Sequence, residues 1–137
     1  MRVRGWGQKE SMKLRIKGES LRLRVSRSDL ERLMQEGRIE ESIHFGLSSD
    51  AQWNYALELG AIESVIAMRH AANEVAVILS KSEAKKWIET DAVGIYGEVP
   101  GGAGSLELIV EKDFACLDRE DEANTDAFPN PNAGRAC

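Results

Sequence analysis

Cysteine is scarce in this chain: two in 137 residues, Cys116 and Cys137. That is too few for the disulfide framework of a small secreted domain. With His44 and His70 they would make four potential zinc ligands, but no two of them form a close pair of the C-x-x-C kind. The expectation is plain thiols and structural histidines, with no metal and no cofactor. No apolar run approaches the roughly 20 residues that span a bilayer. The opening stretch, MRVRGWGQKES, has no apolar h-region, so a secretory signal is not expected and the cytoplasm is the default compartment. Trp6 within it has no assigned role. The net charge of −5 argues against a general nucleic-acid binder, although one face could still be basic.

Motifs for common chemistries are missing too. GEVPGGAGS has glycines but neither the lysine nor the following helix of a phosphate loop, and reads as a hairpin turn. Asp118, Glu120, Asp121 and Glu122 lack the D-x-D-x-D-G order and distal glutamate of a calcium loop. Glu40 and Glu41 are adjacent on a strand pattern and point to opposite faces, so they cannot converge as an acid–base pair. A cysteine nucleophile would need a base and an orienting partner, and the sequence places neither.

What the chain does contain is a phrase written twice. VSRSDLERLMQEGRI (25–39) and LSKSEAKKWIETDAV (79–93) stand 54 residues apart. Ser26 and Ser80 are N-cap residues followed three positions later by Asp29 and Glu83, a capping-box arrangement. Leu30, Leu33 and Met34 match Ala84, Trp87 and Ile88 as a core-facing stripe. Gly37 is a helix stop, and Asp91 a weaker one. SLRLRVS and EVAVILS precede the helices as strands, and RIEESIHFG and AVGIYGEV follow them. MKLRIKG aligns with IAMRHAA, while WNYALEL and LELIVEK supply fourth strands. GLSSD (46–50) and PGGAG (100–104) fall where turns are needed. Trp53 and Tyr55, two apart on a strand, are assigned to core packing.

The fold class expected is therefore α+β: two β-β-α-β-β repeats, residues 12–60 and 64–114, forming one curved antiparallel sheet or barrel-like domain with two helices. Residues 1–11 form an unpatterned extension. Residues 12–116 form a single duplicated domain, and 117–137 an acidic tail containing Pro and Asn. Hydrophobic content of 42% with 30% charge is ordinary for a soluble protein.

The copies differ in charge. VAVIL (75–79) is apolar on both faces and should be buried. The first hairpin alternates strictly, with Leu14, Ile16, Leu21, Leu23 and Val25 on one side and Lys13, Arg15, Lys17, Arg22 and Arg24 on the other. A type II′ turn at Gly18-Glu19 sets Arg15 opposite Arg22 and Lys13 opposite Arg24. Like charges so placed are destabilising, and three sources of negative charge are open. Glu40 or Glu58 from a neighbouring strand could cover them. So could the stretch 111–126, with Glu111, Asp113, Asp118, Glu120, Asp121, Glu122 and Asp126 against Lys112 and Arg119. The third source is a bound anion, since arginine forks match phosphate and carboxylate.

Three resemblances add to this. From Met12 onward, MKLRIKGESLRLR, IHFG, VEKDFACLDR and DAFPNP resemble a family of small bacterial proteins of unknown function, which implies one α+β domain and no activity to carry over. KGESLRLRVSRSDLERLMQEGRIEE resembles the strand–helix–strand core of swapped-hairpin regulators of the antitoxin and transition-state type. That resemblance implies DNA contacts at Lys17, Arg22 and Arg24. A fainter likeness is to triphosphate-tunnel barrels, whose E-x-E-x-K signature is not matched by Glu107, Glu111 and Lys112. The favoured expectation is a binding module, without catalysis, whose anion- or partner-binding face is Lys13, Arg15, Lys17, Arg22 and Arg24. The alternatives are a metal-dependent barrel hydrolase of phosphorylated substrates and a DNA-binding regulator. The partner expected is a small anion or a protein, with no membrane and nucleic acid disfavoured; an edge strand would allow a homodimer.

Overall fold

The computed structural model describes residues 12–49, 51–114 and 128. Along the chain run β1 (Lys13–Lys17), β2 (Ser20–Val25), α1 (Arg27–Glu36), β3 (Arg38–His44) and β4 (Gln52–Gly60). The same series then repeats as β5 (Ile66–Ala71), β6 (Glu74–Ser80), α2 (Lys81–Glu89), β7 (Gly94–Gly101) and β8 (Gly104–Lys112). The α+β class and the two β-β-α-β-β units stand as the sequence implied.

Local chemistry explains the punctuation. Gly18 sits at φ +57, which suits the first central position of a II′ turn and fixes the β1–β2 register. Arg15 pairs with Arg22 and Lys13 with Arg24, the expected pairs. Ser26 accepts from the Asp29 amide while Asp29 accepts from the Ser26 amide at 3.0 Å, a complete capping box. In the second copy Ser80 accepts from the Glu83 amide, but Glu83 turns instead to Lys86 at 3.5 Å. Gly37 closes α1 in the left-handed conformation, whereas α2 ends at Thr90 and not at Asp91.

The strands assemble into two four-stranded sheets, in the orders β1-β2-β8-β7 and β3-β4-β6-β5. Each sheet thus takes one hairpin from each repeat. The outer pairs are antiparallel, but the central pairs, β2 with β8 and β4 with β6, run parallel. The sheets are therefore mixed where an antiparallel one was expected. The reason is the interleaving: hairpins remain antiparallel inside each repeat, and parallel pairing joins repeat to repeat.

The inner faces share one core that includes Leu23, Val25, Leu33, Leu57, Val77, Leu79, Trp87, Leu108 and Val110. Trp87 satisfies its indole N–H on the Val93 carbonyl at 3.0 Å. Tyr55 packs against this core and donates to the Met12 carbonyl at 2.9 Å, with Trp53 beside it. Met34 departs from its expected core position and is 46% exposed. Phe128 returns to the core edge, donating its amide to the Asp113 carbonyl at 2.9 Å.

The two sheets meet along β5 and β7. Gly97 makes that approach feasible, since a Cβ there would clash with Cγ2 of Ile66. Among the described residues no helix is long and apolar enough to cross a membrane.

Candidate functional site

Strand alternation and register define the outer face of the first sheet as three rows. Lys13, Arg24, Glu111 and Gly94 form one row across β1, β2, β8 and β7. Arg15, Arg22, Ile109 and Tyr96 form the next, and Lys17, Ser20, Glu107 and Glu98 the third. The five expected basic residues thus gather on the β1–β2 half. Three carboxylates occupy the β8–β7 half.

Part of the counter-charge is internal. Lys13 reaches Asp113 at 2.9 Å, and Arg22 Nε lies 3.5 Å from Glu111. Glu111 also accepts from the Tyr96 hydroxyl at 3.0 Å. Burial, then this hydrogen bond, pushes the Tyr96 phenol above its ordinary value. Both acids belong to the stretch beginning at 111; Asp118, Glu120, Asp121, Glu122 and Asp126 lie outside the described residues. Among the described residues, Arg15, Lys17 and Arg24 carry no ion pair, and all three are exposed. A cavity of about 140 Å³ opens there, lined by Arg15, Lys17, Ser20, Arg22 and Ile109.

Glu40 and Glu58, the other proposed counter-charges, serve the opposite sheet. Sequence gave no hint that β8, and not β3 or β4, would neighbour β2. On the outer face of the second sheet, Arg38 binds Glu40 at 2.6 Å, Glu74 at 2.7 Å, and Glu58. Arg69 grips Glu58 through both terminal nitrogens and reaches Glu74 at 3.3 Å. Hydrogen bonds from Arg69 hold Glu58 below the usual carboxylate range, and those from Arg38 do the same for Glu74. Burial would lower the Arg38 pKa, but its bonds to Glu40, Glu74 and Glu58 raise it overall. This five-residue network escaped sequence reasoning. Its one legible sign was the alignment of Arg69 with Arg15.

Register makes the sheets comparable position by position. Arg69 stands opposite Ala76 as Arg15 stands opposite Arg22, and Glu74 starts β6 as Ser20 starts β2. Glu74 meets Asn54 and Ala76 meets Ala56 in the parallel pair, matching Ser20 with Glu107 and Arg22 with Ile109. Glu58 consequently corresponds to Glu111. The second sheet holds the Glu74 carboxylate beside its arginine. At the matching place the first sheet has Ser20, whose hydroxyl donates to the Lys17 carbonyl at 2.8 Å. A carboxylate present on one side is replaced on the other by a neutral side chain and a gap among cations.

The other candidates do not assemble. His44 ends β3 and His70 lies on β5, both exposed, while Cys116 and Cys137 fall outside the described residues. Among the described residues no group of three or more His, Cys, Asp or Glu could hold a metal ion. The strand–helix–strand segment that resembles swapped-hairpin regulators corresponds to β2, α1 and β3. Comparison with known proteins yields one family: the model of a family of unknown function, DUF7009, matches residues 12–132. No curated protein and no solved structure matches the chain.

Proposed function

The chain belongs to DUF7009, a family of unknown function, and we propose that it is a binding module that captures an anion on the outer face of its first hairpin, without catalysis of its own. The observation that carries this reading is the exchange of Glu74 for Ser20 at matching places, with Arg15, Lys17 and Arg22 left around a cavity. Arg15 and Arg22 are directly opposed, and such a pair is relieved by a shared negative partner. Their guanidinium forks suit phosphate or carboxylate oxygens. The matched registers also support descent of the two halves from one doubled β-β-α-β-β unit, the second half closing its cationic place with an internal acid.

The test is thermal unfolding of the full chain with inorganic phosphate, sulfate or succinate, against chloride at equal ionic strength. At least one of the three anions should raise Tm above the chloride control, and Arg15→Ala and Arg22→Ala should abolish the rise. Equal Tm in all four salts, or an undiminished rise in both variants, would overturn the reading.

A further inference from the structure

The cavity's charge and the row of residues beyond it specify more than an anion. Arg15, Lys17 and Arg22 bring three cations, and Glu111 at 3.5 Å from Arg22 Nε offsets one of them. Two positive charges remain, the complement of a dianion. The volume, about 140 Å³, accommodates a phosphoryl head, and four of the five lining residues, Arg15, Lys17, Ser20 and Arg22, are polar or charged. Those groups suit the phosphoryl oxygens, and a flat apolar remainder of the ligand is better placed beyond them.

The way out is marked. Continuing the row from Arg15 and Arg22 come Ile109 and then Tyr96. Ile109 is buried although it lies on the outer face, whereas Tyr96 is 51% exposed with its hydroxyl tied to Glu111. Two strand spacings, roughly 10 Å, separate the Arg22 and Tyr96 positions. An exposed ring at that reach, with an apolar floor before it, is a surface on which a flat group can stack. Glu111 on one flanking row and Glu107 and Glu98 on the other disfavour a second negative charge along the path. They would accept hydrogen bonds from hydroxyls on a neutral substituent.

Resting on the anion-binding reading above, we propose that the ligand is a phosphate monoester: its dianionic head sits among Arg15, Lys17 and Arg22, and a flat, uncharged substituent lies over Ile109 against Tyr96.

Calorimetric titration of the full chain at pH 8 tests this with phenyl phosphate, methyl phosphate, phenyl sulfate and benzoate. Phenyl phosphate carries one more negative charge than phenyl sulfate or benzoate and should bind about tenfold more tightly than either. It should also exceed methyl phosphate about threefold, an advantage lost in Tyr96→Ala and retained in Tyr96→Phe. Binding of benzoate or phenyl sulfate as tight as that of phenyl phosphate would refute the phosphate assignment while leaving anion capture standing. Equal affinity for methyl and phenyl phosphate would refute the path over Tyr96. No binding by any of the four probes would remove both this inference and the reading beneath it.

Discussion

Replacing Ser20 by glutamate should turn the first sheet's outer face into a copy of the second. At the matching place Glu74 accepts from Arg69 at 3.3 Å and from Arg38 at 2.7 Å. The first sheet has the Arg69 counterpart, Arg15, but Gly94 stands where Arg38 would be. The new carboxylate therefore gains Arg15, with Lys17 and Arg22 lining the same cavity. Two unit charges 4 Å apart attract by about 4 kcal/mol at an effective dielectric of 20, but solvent at a half-exposed strand end screens most of that. Measured exposed pairs contribute about 0.2–1 kcal/mol, and the hydroxyl bond to the Lys17 carbonyl is lost in exchange. The net expectation is a gain of about 0.5 kcal/mol in stability. The effect on binding is larger, because the carboxylate occupies the cavity and cancels one of its two uncompensated charges. Affinity for phosphate or phenyl phosphate should fall at least tenfold, or about 1.4 kcal/mol. Chemical denaturation and calorimetric titration measure the two quantities separately. Ser20→Gln, similar in bulk but neutral, should reduce affinity by much less than the glutamate does. Affinity within twofold of wild type in Ser20→Glu would refute the equivalence of the two places, as would equal losses in the two variants.

Two further outcomes follow from the second sheet and from the seam. Glu58 and Glu74 both have folded-state pKa values below the ordinary 4.5, through hydrogen bonds led by Arg69 and Arg38 respectively. A depressed carboxylate contributes stability that is complete above its unfolded value and is lost as pH falls through its folded value. Denaturation midpoints should drop as pH falls below the ordinary carboxylate value of 4.5, and a Glu58→Gln/Glu74→Gln double variant should show a flatter dependence there; an unaltered slope would show that the network carries no such linkage. At the seam, Gly97→Ala sets a Cβ against Ile66 and should cost about 1–3 kcal/mol in denaturant unfolding. That cost should shrink in an Ile66→Ala background, and strict additivity of the two substitutions would count against the contact.

The contrast between what was legible and what was not follows from the range of the interactions. Alternation in KLRIK and SLRLRV, with Gly18 between them, dictates a hairpin whose register needs only neighbours in sequence. The Ser26–Asp29 cap likewise spans three residues. These features, and the doubled order of elements, could be read directly. Which hairpin lies beside which could not, because Ser20 meets Glu107 and Asn54 meets Glu74 across the whole chain. For that reason Glu40 and Glu58, one of three open sources of counter-charge for the first hairpin, belong instead to the second sheet, and nothing local in the sequence marks Glu74. Met34 fits the apolar stripe of α1 as well as Leu30 does, yet it borders surface cavities beside α1 and stays exposed. The basic face itself is legible; its incompleteness rests on the long-range registers that set Ser20 where the second sheet has Glu74.

The exchange of hairpins between sheets also governs how the polypeptide can be made. Strand β2 is synthesised well before its lateral neighbour β8, the last strand among the described residues. Until then the N-terminal hairpin is a lone two-stranded ribbon, which is marginal in water, and Glu111 is not there to meet Arg22. A cut between Gly60 and Ile66 would release two pieces, each carrying two ribbons that need partners from the other piece. Such fragments are built to complete one another, and neither is a small protein in its own right.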